Sequence, residues 1–144
     1  ARNVAQLRDP HTVTLYDFGR TSTGLFYMIF EFIDGQTLKF AADHNHPIDQ
    51  KRIVAILRKI LSSLEEAHQL GMLHRDVKPA NIMLYDYLGR TDQVKVLDFG
   101  ISKALLHNAS VTLQNLTGQH LMMGTPRYMS PEQLHRESLD RRSD

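Results

Sequence analysis

Cysteine is absent from the 144 residues, which excludes disulfide cross-links and zinc sites built on thiolates. A chain without thiols fits a reducing cytosol. Long apolar runs are missing as well. Apolar runs such as YMIF (residues 27–30, within LFYMIF, 25–30) and IVAIL (residues 53–57) fall far short of the roughly 20 residues that a membrane-spanning helix needs. No charged-then-apolar leader precedes them, so a signal peptide is not expected. Charge of one sign is lacking too: the formal net charge is +1, with acidic and basic residues intermixed, which leaves no electrostatic footprint for a nucleic acid. No internal repeat or low-complexity tract is visible. What remains is 42% hydrophobic and 23% charged, ordinary for a folded globular chain and enough for one modest domain with a core.

Hydrophobic patterning suggests the following order. ARNVAQL reads as the tail of a helix, stopped at Asp9-Pro10. Residues 13–18 and 26–33, rich in β-branched and aromatic types, flank the turn GRTSTG and read as an antiparallel hairpin closed by Asp34-Gly35. A long helix follows, with Asp49 as N-cap, Gly71 as its left-handed stop, and Ile53, Ile56, Leu57, Ile60, Leu61 and Leu64 on one face. Two short strands, residues 82–84 and 94–97, bracket the polar turn YDYLGRTDQ. Residues 101–129 are polar and aperiodic, a loop long enough to suggest function or disorder. His44 and His46 read as solvated loop residues, and Met122-Met123 as packing under the long loop.

The chemistry concentrates in HRDVKPANIML, residues 74–84. Moving the terminal phosphate of a nucleotide requires a divalent metal bridging phosphate oxygens, a carboxylate near the attacking hydroxyl, and cations to spread charge. Mg²⁺ prefers oxygen ligands and takes only one or two from protein. Asn81, through its amide oxygen, and Asp98, through its carboxylate, are suited to that. Asp76 is suited to orient the hydroxyl and accept its proton, and Lys78 to neutralise the moving phosphoryl group. Asp98 follows an apolar strand and precedes Phe99-Gly100, as befits a ligand that must be aimed. Asp17-Phe18-Gly19 repeats the same tripeptide ahead of the polar loop. It reads as a strand terminus without a metal role.

HRDVKPAN, then DFG at 98–100, then GTPRYMSPE at 124–132 resemble the catalytic, metal-binding and substrate-positioning segments of eukaryotic-like protein kinases. VKPANIM and SPEQ are most similar to the bacterial serine/threonine members, and Lys78 favours Ser/Thr over Tyr. The resemblance runs the whole length of the chain. It implies an α+β, protein-kinase-like fold, incomplete: the end of an N-terminal lobe and hinge over residues 1–33, and part of a mainly helical C-terminal lobe over 34–144. It implies that Phe30 is the gatekeeper, that Glu31 and Ile33 offer backbone groups to adenine, and that Met83 is the apolar floor beneath the purine. His74 and Phe99 match members of a stacked apolar column, with Val4 and Leu15 above them. Arg75 would pair with a phosphate on the long loop, at Thr117 first and at Thr112 or Ser110 next. Thr125 would brace Asp76 and Lys78. ATP with Mg²⁺ or Mn²⁺ is the implied cofactor set, and a protein Ser/Thr hydroxyl the implied acceptor. No nucleic acid or membrane segment is implied for this chain. Dimerisation for autophosphorylation and a membrane anchor belong to the implied parent, with the kinase domain itself cytoplasmic.

A kinase also needs a glycine-rich loop, and a strand lysine paired with a helix glutamate. No G-x-G-x-x-G or V-A-I-K pattern occurs here. Ser143-Asp144 resembles the start of a helix whose aspartate anchors the catalytic loop, and the family's arginine partner for Glu132 is not found. Partial exposure of the long helix's apolar face is therefore expected, at a cost on the order of 5–10 kcal/mol. The isolated chain is expected to be inactive and poorly stable. Rival readings are a pseudokinase that binds nucleotide or partners, an inert truncated product, and a small-molecule phosphotransferase. Intact Asp76, Asn81 and Asp98 weigh against the first, and GTPRYMSPE against the last.

Overall fold

The computed structural model describes residues 6–44, 48–99 and 126–144. Two small antiparallel sheets and one long helix carry the architecture. Strands β1 (Leu15–Arg20) and β2 (Phe26–Phe30) form the first sheet, in register from Leu15↔Phe30 to Arg20↔Phe26, with an irregularity between Leu15 and Asp17. The hairpin turn is tighter than GRTSTG suggests. Thr21 N–H donates to the Leu25 carbonyl at 2.8 Å, and Gly24 takes φ +89°. Gly19 and Arg20 therefore belong to the strand, and β1 starts at Leu15 rather than Val13. Strand β2 ends at Phe30 instead of Ile33, because beyond it the pairing passes to a single bond from Glu31 N–H to the Thr14 carbonyl.

The second sheet has the order β3 (Gly35–Thr37), β4 (Ile82–Tyr87), β5 (Arg90–Val96). Gly35 opens a strand here rather than closing one. A Cβ at this position would collide with the Leu84 carbonyl oxygen, so only glycine lets the two backbones approach. The polar stretch between the two expected short strands is mostly strand as well. Its turn is reduced to Leu88 and Gly89, at φ 49° and 75°, the positive pair that two-residue hairpins use. Helix α1 (Leu38–His44) was not anticipated; His44 ends it with its ring stacked on Phe40 at 4.0 Å.

Helix α2 (Gln50–Gln69) begins and ends as its sequence indicates. The Asp49 carboxylate accepts the N–H groups of Lys51 and Arg52. At the other end Gly71, at φ 70°, donates to the His68 carbonyl and Met72 to the Ala67 carbonyl. Both bonds of the left-handed helix stop are thus in place. Ile56, Ile60, Ser63, Leu64 and Ala67 form its buried stripe. Against that stripe lie Ile82, Leu84, Val94 and Val96, cross-strand partners on one face of the sheet. Burial of each such aliphatic side chain contributes roughly 1.5–3 kcal/mol. Ile53, Leu57 and Leu61, on the rest of the expected face, are 41%, 48% and 61% exposed.

The segment before β1 is fastened to this core by polar groups. The Glu66 carboxylate accepts the N–H groups of Arg8 and Asp9, and Ser62 Oγ donates to Asp9 at 2.6 Å. Thr12 and Ser63 share a buried hydroxyl–hydroxyl bond of 2.6 Å. Thr12 also forms a parallel bridge to Val96, so the segment lies along the end of β5. The expected helix over residues 1–7 lies mostly outside the described residues.

Candidate active site

The polar loop opens at His74, which is fully buried. Its Nε2–H donates to the Leu97 carbonyl at 2.7 Å, and its Nδ1 accepts the Asp76 N–H at 3.3 Å. Both bonds together require the neutral ring with its proton on Nε2. Burial drives the imidazole below its ordinary pKa, against the opposing bond to the Leu97 carbonyl and the carboxylates of Asp144, Asp76 and Asp98. Phe99 packs on the same ring at 4.8 Å. Leu15 packs against the core that includes Phe99, while Val4 lies outside the described residues.

Arg75 adopts φ 66°, a left-handed conformation that costs a non-glycine residue free energy. The Asp144 carboxylate, 1% exposed, holds it there, accepting the His74 and Arg75 N–H groups at 2.7 Å each and meeting His68 Nε2 at 2.8 Å. The Arg75 carbonyl in turn accepts from Gln133 Nε2 at 3.0 Å. Gln133 sits on helix α3 (Pro131–His135), where it completes a capping box with Ser130. Glu132, one residue before it, accepts the Ser143 hydroxyl, which holds its carboxyl below the usual range.

This anchoring turns three polar side chains toward one another. Lys78 Nζ donates to Asp76 Oδ2 at 2.8 Å. Asn81 Nδ2 donates to the Asp76 carbonyl at 2.9 Å and to Oδ2 at 3.0 Å. With its amide nitrogen spent on Asp76, Asn81 has an oxygen that takes no hydrogen bond from the other described residues. Asn81 lies in a 3₁₀ turn (Pro79–Asn81), and its carbonyl accepts the Leu97 N–H at 2.9 Å. That bond brings the end of β5 alongside the turn, and Asp98 follows immediately, exposed and at φ 58°. No group of three or more His, Cys, Asp or Glu side chains placed to hold a metal ion occurs among the described residues. An amide oxygen and one carboxylate make a hard oxygen pair, which fits a divalent cation that takes its other ligands from phosphates and water.

Beside Asp98 lies an apolar cavity of about 260 Å³. Phe30, Glu31, Phe32 and Ile33 form one wall, and Met83, Leu97 and Val13 line it as well. A larger, open cavity of about 720 Å³ is lined by residues such as Arg52, Asp86 and Asp92. It contains none of the predicted site residues, whereas the smaller one is lined by Glu31, Ile33, Met83 and Asp98. The Glu31 side chain is itself engaged. It accepts the Thr14 N–H at 2.7 Å and the Lys95 ammonium at 2.6 Å. Burial raises the Glu31 pKa, but the bonds from Lys95 and Thr14 outweigh it and hold the carboxyl below its usual range.

A protein kinase domain model matches residues 2–144. The chain belongs to the protein kinase family. Among its relatives, serine/threonine-protein kinase pkn3 of Myxococcus xanthus is 38% identical over 144 residues, covering all of this chain and 26% of that protein. PknB of Mycobacterium leprae is 39% identical over 147 residues, covering all of this chain and 22% of its own length. The chain thus spans about a quarter of these curated relatives. The kinase domain of Mycobacterium tuberculosis PknI superposes with a TM-score of 0.71 at 27% identity, over 99% of this chain and 48% of that structure.

Within this kinase segment, Asp76, Lys78 and Asn81 meet directly, and Asp98 is brought alongside. Glu31, Ile33, Met83 and Phe30 line one cavity with Asp98. Thr112, Thr117, Thr125 and Ser110 lie outside the described residues, as do Met122 and Met123. The second DFG, Asp17–Gly19, sits in mid-strand, with Asp17 bonded to Tyr27. Lys95 was missed. Its signal was a lysine between two valines in an apolar strand, a buried charge that must find a partner.

Proposed function

We propose that this chain is the central part of a protein kinase that transfers the γ-phosphate of ATP to serine or threonine hydroxyls of proteins. The observation that carries this reading is the Asp76–Lys78–Asn81 cluster, with Asp98 beside it at the mouth of an apolar cavity. The names of the relatives support Ser/Thr specificity. Residues 1–33 then belong to the N-terminal lobe and hinge, and 34–144 to the C-terminal lobe.

On this reading the purine lies on Met83, with its edge toward the backbone of Glu31 and Ile33. Asn81 and Asp98 are the residues that would hold a Mg²⁺ ion, which would supply charge neutralisation for the phosphates. Asp76 orients the acceptor hydroxyl and takes its proton. Lys78, 2.8 Å from Asp76 Oδ2, spreads charge from the transferring group. Arg75 pairs with a phosphate carried on the segment after Asp98, with Thr117 and Thr112 as candidate phosphorylation sites and Thr125 bracing Asp76 and Lys78.

The test is transfer of labelled phosphate from Mg·ATP to a generic basic protein, by the whole kinase that contains this chain. Asp76→Asn should reduce transfer by about 10²-fold or more, the scale of general-base loss, while leaving nucleotide binding in place. Equal transfer by wild type and Asp76→Asn would overturn the assignment. So would the absence of transfer in a wild type that binds Mg·ATP.

A further inference from the structure

Lys95 lies in an otherwise apolar strand and is 9% exposed. It stands directly opposite Met83 in the β4–β5 ladder, and cross-strand partners project to the same face of a sheet. Its ammonium reaches from there to Glu31 at 2.6 Å and to the Thr12 carbonyl at 3.2 Å. Glu31 also accepts the Thr14 N–H through the same carboxylate oxygen and donates its own N–H to the Thr14 carbonyl. Three chain segments, distant in sequence, are therefore tied at one residue of the cavity wall. The pair is 11% and 19% exposed at its side chains, so solvent does little to screen it.

We infer that Lys95 is a positioning residue for base selection: through Glu31 it fixes the backbone carbonyl that distinguishes a 6-amino purine from a 6-oxo purine. This rests on the nucleotide-binding reading above. An amide carbonyl is an acceptor only. Held rigidly, it accepts from the amino group of adenine and repels the oxygen that guanine carries at the same place. A wall segment free to rotate loses the bond to adenine and relieves the repulsion against guanine. Selectivity therefore depends on how firmly Glu31 is held. Its backbone N–H is bonded once to Thr14, and its side chain carries the remaining restraint.

Titration of the whole kinase that contains this chain with ATP and with GTP, in Mg²⁺, tests this. Lys95→Met keeps the length and apolar stem and removes the charge. It should lower the ATP-over-GTP preference about three- to tenfold, the worth of one hydrogen bond. Glu31→Gln should lower it similarly, and Lys95→Arg should restore much of it. Lys39→Met, which breaks an exposed pair with Asp43, should leave the preference unchanged. If Lys95→Met weakens both nucleotides equally, or neither, the residue is merely structural and the inference fails. Should wild type bind neither nucleotide, the nucleotide-binding reading itself falls.

Discussion

At the scale of single residues, the loop of the candidate site is held by two buried side chains, His74 and Asp144. Neutral His74 uses both ring nitrogens, one as donor and one as acceptor. A proton on Nδ1 would face the Asp76 N–H and break that contact. Burial lowers the folded-state pKa below the ordinary 6.5, so the unfolded chain takes up the proton first as pH falls. Stability should be level with respect to this group above about pH 6.5 and decline below it, by at most about 1.4 kcal/mol per pH unit. The carboxylates whose pKa values are lowered, such as Glu31 and Glu132, start from 4.5 and contribute only at lower pH. Urea midpoints between pH 5 and 8 will check this; a midpoint that rises on acidification from pH 7 to 5.5 would contradict it.

At the scale of elements, the site depends on where short strands and turns stop. Strand β3 has only three residues, yet it aligns the wall segment with Met83 on β4. Gly35→Ala would press a methyl group into the Leu84 carbonyl, and backbone on both sides cannot yield as a flexible side chain could. We expect a loss of about 1–3 kcal/mol, read as a lower urea midpoint with an unchanged slope. An unchanged midpoint would mean that β3 does not pair as described. The same element shows what is legible in sequence. Asp49 and Gly71 are readable because caps act on neighbours two to five residues away. Strand β3 is not, since its partner lies some fifty residues on and its three residues carry no period. Glu31 was picked out for its backbone, but its side chain answers to Lys95, 64 residues distant. The motif residues 74–81 and 98 were legible because they are close in sequence and chemically distinctive. The carboxylate of Asp144 was also anticipated, through resemblance rather than local pattern.

At the scale of the molecule, burial is uneven. One stripe of α2 is sealed by β4 and β5, while Ile53, Val54, Leu57 and Leu61 stay 41–61% exposed along the same helix. The first sheet likewise presents Tyr16, Phe26 and Ile29 to solvent. Contiguous apolar surface of this kind promotes association, and in the isolated chain it should bind hydrophobic dyes. Replacing Leu57 and Leu61 together by Lys tests whether that face is open in solution. Surface substitutions that touch no buried feature change stability by about 0.5 kcal/mol or less each. Dye binding and light scattering should therefore drop while the urea midpoint hardly moves. The alternative is a chain that covers this face with a second copy of itself. In that case the double substitution would lower stability by several kcal/mol and make the urea midpoint independent of protein concentration, where the wild-type midpoint had risen with it.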